Sequence, residues 1–148
     1  MTYETVVRDL FERFPKLRLV SDAKFAYTGT ERPDAYIIFG SILMPALEQA
    51  LEAGELASIL KICAFLEDVA EAAEEDRGLK SLLQVEVGEW LGGTVHEASL
   101  TPWLGARTKQ ICGYVPGLAT QRIALRAEDK RRGLAGRIGS FMTRLRGK

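Results

Sequence analysis

The segment "PDAYIIFGSILMPALEQALEAG" constrains this chain more than any other. From Tyr36 to Leu47 it is apolar on almost every side. A helix apolar along one stripe can lie on a surface, but one apolar all round must be enclosed by the rest of the protein. The uncharged run, Ala35 to Leu47, is 13 residues long, well short of the roughly 20 needed to span a bilayer. The segment therefore predicts a central buried helix. Its start, Tyr36-Ile37-Ile38-Phe39, also suits a short strand before Gly40, but the apolar pattern continues to Leu51 and favours helix. Pro45 removes a backbone donor and crowds the preceding turn, so a kink is expected there. Gly54 is a natural stop.

Something must wrap this helix, and the flanking sequence supplies helices. The 148 residues are most simply one domain. Thr2 suits the cap of a first helix through Val6, Val7, Leu10, Phe11 and Phe14, ended by Pro15. Lys16 to Thr30 reads as irregular, and Thr30 followed by Pro33 as a helix start. Glu55 to Glu75 gives the clearest helix, with Leu56, Ile59, Leu60, Cys63, Leu66, Val69, Ala70 and Ala73 in one apolar stripe. Asp76 to Gly78 form a turn. In "LKSLLQVEVGEWLGG", strand alternation accounts only for Leu83, Val85 and Val87. A helical wheel places Leu79, Leu83, Val87, Trp90 and Leu91 on one face about 120° wide. A helix from Leu79 to Leu91 follows, with Trp90 in the core and Gly92-Gly93 as its stop. Thr101-Pro102 reads as the cap of a helix through Trp103, Leu104, Arg107 and Ile111. The expectation is an all-α fold: a compact multi-helix domain, solenoid-like or bundle, over residues 1–117, with a basic amphipathic helical extension over 118–148.

The overall charge of zero hides a division. Residues 1–100 carry 18 Asp/Glu and 9 Lys/Arg, whereas residues 101–148 carry 2 and 11. Either the halves neutralise each other, or they present charged binding surfaces. The acidic half concentrates in Glu67, Asp68, Glu71, Glu74 and Glu75. Like charges at i,i+4 cost a helix roughly 0.2–0.5 kcal/mol per pair. Such a stripe is either a solvated face or a docking surface for a basic partner. Glu86 falls inside the apolar face of its helix and Glu89 at the edge. A carboxylate there leans to solvent, pairs with an arginine, or belongs to a structural network or partner contact. In the basic half, Leu134, Ile138, Phe141 and Leu145 form one apolar edge among arginines, expected to pack on the helical domain or to order on an anionic partner, lipid or nucleic acid.

Signatures of chemistry are sparse. Cys63 and Cys112 do not make a disulfide framework, and both suit a reducing cytoplasm. His96 stands alone in a Gly/Thr-rich connection, with no spacing to a cysteine or serine that suggests a nucleophile–base pair. Two cysteines and one histidine match no zinc-ligand spacing, and no phosphate-binding glycine motif occurs. No cofactor or metal is expected. The N-terminus carries acids and lacks a long apolar core, so it does not read as a signal peptide. A paired-carboxylate hydrolase using Glu86 and Glu89 is conceivable, from residues too common to carry weight.

Three stretches, "YIIFGSILMPALEQAL", "ILKICAFLEDVAEAAEEDRGLKSLLQVEVGEWLGG" and "LGARTKQI", together resemble a group of small bacterial all-helical proteins of unassigned function. Some of these look like immunity proteins encoded beside secreted polymorphic toxins. The resemblance covers Pro33 to Ile111. It implies framework positions at Tyr36, Phe39, Gly40, Phe65, Leu66, Glu67, Leu82, Leu83, Val85, Glu89, Leu91, Gly105, Thr108 and Lys109, and it implies no catalytic residue. The function it suggests is non-enzymatic: occlusion of a cognate toxin, with the acidic residues Glu67, Asp68, Glu71, Glu74, Glu75, Glu86 and Glu89 meeting a basic protein partner. An adaptor whose basic tail contacts anionic lipid or nucleic acid is the alternative.

Overall fold

The computed structural model describes the backbone of residues 1–26 and 33–145, and the side chains of those up to residue 131. Every regular element in them is helical. α1 is Val6–Arg13 and α2 is Pro15–Phe25. α3 runs without a break through Ala35–Ile38, a π-helical turn at Phe39–Leu43, and Met44–Ala53. α4 is Leu56–Ala72. α5 comprises Arg77–Leu82, a second π-helical turn at Leu83–Gly88, and Glu89–Leu91. α6 is Glu97–Leu100, α7 is Ala106–Ile111 and α8 is Leu118–Leu145. No helix among the described residues is long and apolar enough to cross a membrane.

The expected central helix is α3. Ile38, Phe39, Leu43, Met44 and Leu47 are fully enclosed, although Ile37 reaches the surface. Pro45 has no N–H to give the Ser41 carbonyl one turn earlier. Lys24 of α2 donates its ammonium to that carbonyl instead, at 3.1 Å. The wide π-turn ends two residues before the proline, where widening relieves crowding against the ring. Gly54 closes α3 in the left-handed region, at φ 66°, which a side chain would disfavour.

α2 corrects the irregular reading of Lys16 onward. Pro15 ends α1 and also takes the first turn of α2, where its missing N–H costs nothing. The helix was hard to see because it buries so little: Ser21 is its one buried residue. The N-cap of α1 is Thr5, not Thr2; Thr2 lies in the turn before it, where its carbonyl accepts from the Val6 N–H at 2.9 Å. Asp34 is the cap of α3, accepting from the Tyr36 N–H, whereas Thr30 lies outside the described residues. Tyr3 joins two helix starts. Its hydroxyl donates to Asp34 and its N–H to Asp76, the cap of α5, each at 2.9 Å. Burial and the Asp34 carboxylate push the Tyr3 phenol up to about 12.

α4 packs against α3 through Phe65, which sits 6.3 Å from the Phe39 ring and 5.8 Å edge-on from Phe14. The face it buries differs from the expected stripe. Ile62 and Phe65 are in the core, while Leu56 and Leu60 are 46% and 42% exposed. α5 is helical as the wheel requires, burying Leu79, Leu82, Leu83, Val87 and Leu91. Trp90 is half-buried at the rim of the core, not inside it. Thr101-Pro102 does not open a helix. Thr101 follows the end of α6, its hydroxyl donating to the Glu97 carbonyl at 2.8 Å, and α7 begins at Ala106 after extended Gly105.

Candidate functional site

The acidic residues that sequence places on one face divide into several structural roles. Glu67 is half-buried and caps α7 from outside it. Its carboxylate accepts the Arg107 N–H at 3.0 Å, the Thr108 N–H at 3.0 Å and the Thr108 hydroxyl at 2.8 Å. Burial acts to raise the Glu67 pKa, but these three donors and the Arg107 charge outweigh it and hold the pKa below the usual range. Gly105 makes the approach possible: a methyl group on it would overlap the Glu67 carboxylate. Glu67 lies 41 residues before Thr108 in sequence, yet with Gly105 the two form one junction between α4 and α7.

Asp68 pairs with Arg13 of α1. Glu74 pairs with Arg107, Nε to Oε1 at 3.2 Å, beside a cleft of about 340 Å³ lined by Ala73, Lys80, Gln84, Gln110 and Ile111 as well as by that pair. Glu71 and Glu75 are exposed and make no ion pair among the described residues. Two of the five predicted acids are thus exposed and unpaired among the described residues. Glu71 continues a strip along the outer side of α4, and Glu75 lies in the turn just past the end of that helix. At roughly 100° per residue, Leu56, Leu60, Ala64, Glu67 and Glu71 fall within an arc of about 80°. Exposed Leu56, Leu60 and Ala64 occupy its N-terminal part; farther along, Glu67 is turned into the α7 junction and Glu71 is exposed.

Glu86 and Glu89 are not on that strip. Glu86 is half-buried, with its carboxylate lying over Gly40 in the facing π-turn. It has no hydrogen-bond partner among the described residues. Burial, assisted by the nearby Glu89 charge, raises its pKa. Glu89 is exposed on the wall of a second cleft, of about 230 Å³, with Gly88, Gly92, Cys112, Tyr114 and Arg122. Cys112 donates to the Leu83 carbonyl at 3.4 Å. Burial pushes its thiol up to about 12 and that of Cys63 to about 11, so neither is an activated nucleophile.

Two groupings escaped the sequence. Glu97 is only 6% exposed. One of its oxygens accepts from the Tyr114 hydroxyl at 2.9 Å and from the Gly117 N–H at 2.6 Å, and the other is buried without a partner among the described residues. It anchors the start of α8. The basic segment beyond behaves differently: from Gln121 to Arg131 every described side chain except Ile123 is exposed. The predicted apolar edge, Leu134, Ile138, Phe141 and Leu145, lies outside the described side chains. The second grouping is Glu48, Glu52 and His96, whose ligand atoms all fall within 4.8 Å of one another. Glu48 and Glu52 offer i,i+4 spacing on α3, but their partner is 44 residues on in sequence, where only the fold reveals it.

Comparison with protein-family models, curated proteins and solved structures finds no match to the chain.

Proposed function

We propose that the chain is a non-enzymatic binding protein of the immunity type, acting in the cytoplasm to neutralise a cognate bacterial toxin by occluding it. The outer strip of α4 would meet the partner. The observation that carries this reading is the combination on that strip: Leu56 and Leu60 exposed at adjacent turns, followed by exposed Glu71, with exposed Glu75 in the turn just past the end of the helix. Exposed apolar side chains bordered by charge are the anatomy of a protein interface. Aliphatic anchors supply affinity when buried, and like-signed acids steer a basic partner to the strip. The likeness to immunity proteins supplies the toxin as partner class. The test is co-expression with the toxin domain of a secreted protein encoded beside this gene. Growth rescue by the intact chain, lost on Leu60→Asp with Glu71→Lys, supports the reading. A neighbourhood lacking such a toxin, or rescue that survives both substitutions, contradicts it.

A second reading has its own observation. Arg126, Lys130 and Arg131 are exposed along α8. A basic C-terminal helical extension of this kind suits an adaptor that contacts anionic lipid or nucleic acid. That reading requires binding to anionic vesicles or oligonucleotides that weakens steeply with salt and is lost when these three residues become glutamates.

A further inference from the structure

We propose that Glu48, Glu52 and His96 form a binding site for a divalent first-row transition-metal ion of the zinc class. The donors come from two rigid elements. Glu48 and Glu52 project from successive turns of α3, whose inner face is fixed by buried Leu47, Ala50 and Leu51. His96 sits directly before α6. Its carbonyl accepts from Ser99 and Leu100 at 3.1 and 3.0 Å, its N–H donates to Thr94 at 3.2 Å, and the adjacent Glu97 is buried and hydrogen-bonded. The backbone carrying the imidazole is therefore held in place, and its side chain is 20% exposed.

The spacing suits an ion better than it suits direct pairing. His96 Nε2 stands 4.0 Å from Glu52 Oε1, beyond hydrogen-bond reach. For three donors within 4.8 Å of one another, a point exists no farther than about 2.8 Å from each, close to the 2.0–2.2 Å of zinc–nitrogen and zinc–carboxylate bonds. Small rotations of two glutamate side chains close the difference. The charge balance favours a cation: two carboxylates one turn apart repel, and a dication neutralises both. One imidazole with two carboxylates suits zinc, iron(II), manganese or cobalt rather than calcium, which takes oxygen donors alone. Three protein ligands leave further positions on the ion for water or another donor. Glu52, 63% exposed, sets that open side toward solvent. Coordination would tie α3 to the connection before α6. It would thereby stabilise the region that anchors α8, independently of the α4 strip.

The full-length protein, stripped of metal by chelator and dialysed, is titrated with zinc chloride by calorimetry and with cobalt(II) chloride by visible absorption. Expected are one saturable site, a cobalt spectrum with the intensity of a low-coordinate nitrogen–oxygen site, and a rise in melting temperature with zinc. Glu52→Gln, at an exposed position that folding tolerates, and His96→Ala should each lower zinc affinity at least about 100-fold, beyond the 10–100-fold typical of losing an outer-shell partner. Glu12→Gln, an exposed acid far from the cluster in sequence, should change nothing. Absence of saturable binding up to about 1 mM zinc overturns the proposal. So does binding that persists in Glu52→Gln and His96→Ala, or that disappears in Cys112→Ser, since either places the ion elsewhere.

Discussion

At the scale of single residues, the carboxylates sort by what surrounds them. Glu67 satisfies three donors, so Glu67→Ala strands two backbone N–H groups and a fully buried threonine. Leaving a buried polar group unsatisfied costs about 1–3 kcal/mol; urea titration should show a loss of that order, against less than about 0.5 kcal/mol for exposed Glu71→Ala. The pH dependence follows. Glu67 and Asp76 have lowered pKa values in the fold, so the unfolded chain binds protons more readily than the folded one. Their contribution is complete above the unfolded values of about 4.3 and 3.9 and is lost as pH falls through the folded ones. Stability measured from pH 6 to 3 should fall less steeply in Glu67→Ala than in the natural chain. Glu86 has the opposite sign. Its raised pKa means that the ionised form opposes folding, so Glu86→Gln should raise the melting temperature at pH 7. That gain should vanish as the pH drops toward the unfolded glutamate value and the natural side chain itself takes up a proton. Sequence located Glu86 on the apolar face correctly, but not its seat over Gly40, because two π-turns meeting across a helix pair leave no mark in apolar periodicity.

At the scale of elements, periodicity read the helices well and their rotation less well. α4 and α5 were both legible as helices because their apolar residues recur at 3.6-residue spacing. Yet α4 turns Leu56 and Leu60 outward and Phe65 inward. A helix with large apolar residues on more than one side does not announce which side the neighbours will cover. α2 was missed for the reverse reason, since it has almost no buried side. Thr101-Pro102 misled because a threonine before a proline resembles a cap whether a helix is beginning or has just ended. The rotation of α4 has a direct consequence. Phe65→Ala should cost about 3–5 kcal/mol, whereas Leu60→Asp should leave stability within about 0.5 kcal/mol; chemical denaturation of the two variants checks it. A large loss for Leu60→Asp would return that leucine to the core.

At the scale of the whole molecule, the charge division visible in the sequence is, among the described residues, only partly neutralised inside the fold. Arg107, Asp68 and Glu74 pair internally, and Arg122 reaches the Gly92 carbonyl at 3.3 Å, but the described basic residues farther along α8 are exposed. Among the described residues, Glu97, Ala119 and this arginine tie the N-terminal end of α8 to the body. Glu97→Ala removes the acceptor for Tyr114 and Gly117 and should destabilise the fold by about 2–5 kcal/mol, with hydrogen exchange accelerating first around residues 114–121. The all-helical class was legible because it rests on local periodicity. The junctions made by Glu67, Glu97 and His96 were not, because each joins residues brought together only by the path of the chain. The central claim is that the outer strip of α4 binds a basic toxin domain. It is tested most directly by measuring association of that purified domain with the natural chain and with Leu60→Asp/Glu71→Lys at low and moderate salt. The predicted result is tight binding by the natural chain with an association rate that falls as salt rises, and at least a hundredfold loss of affinity in a variant that remains folded. Equal affinity for both proteins would contradict it.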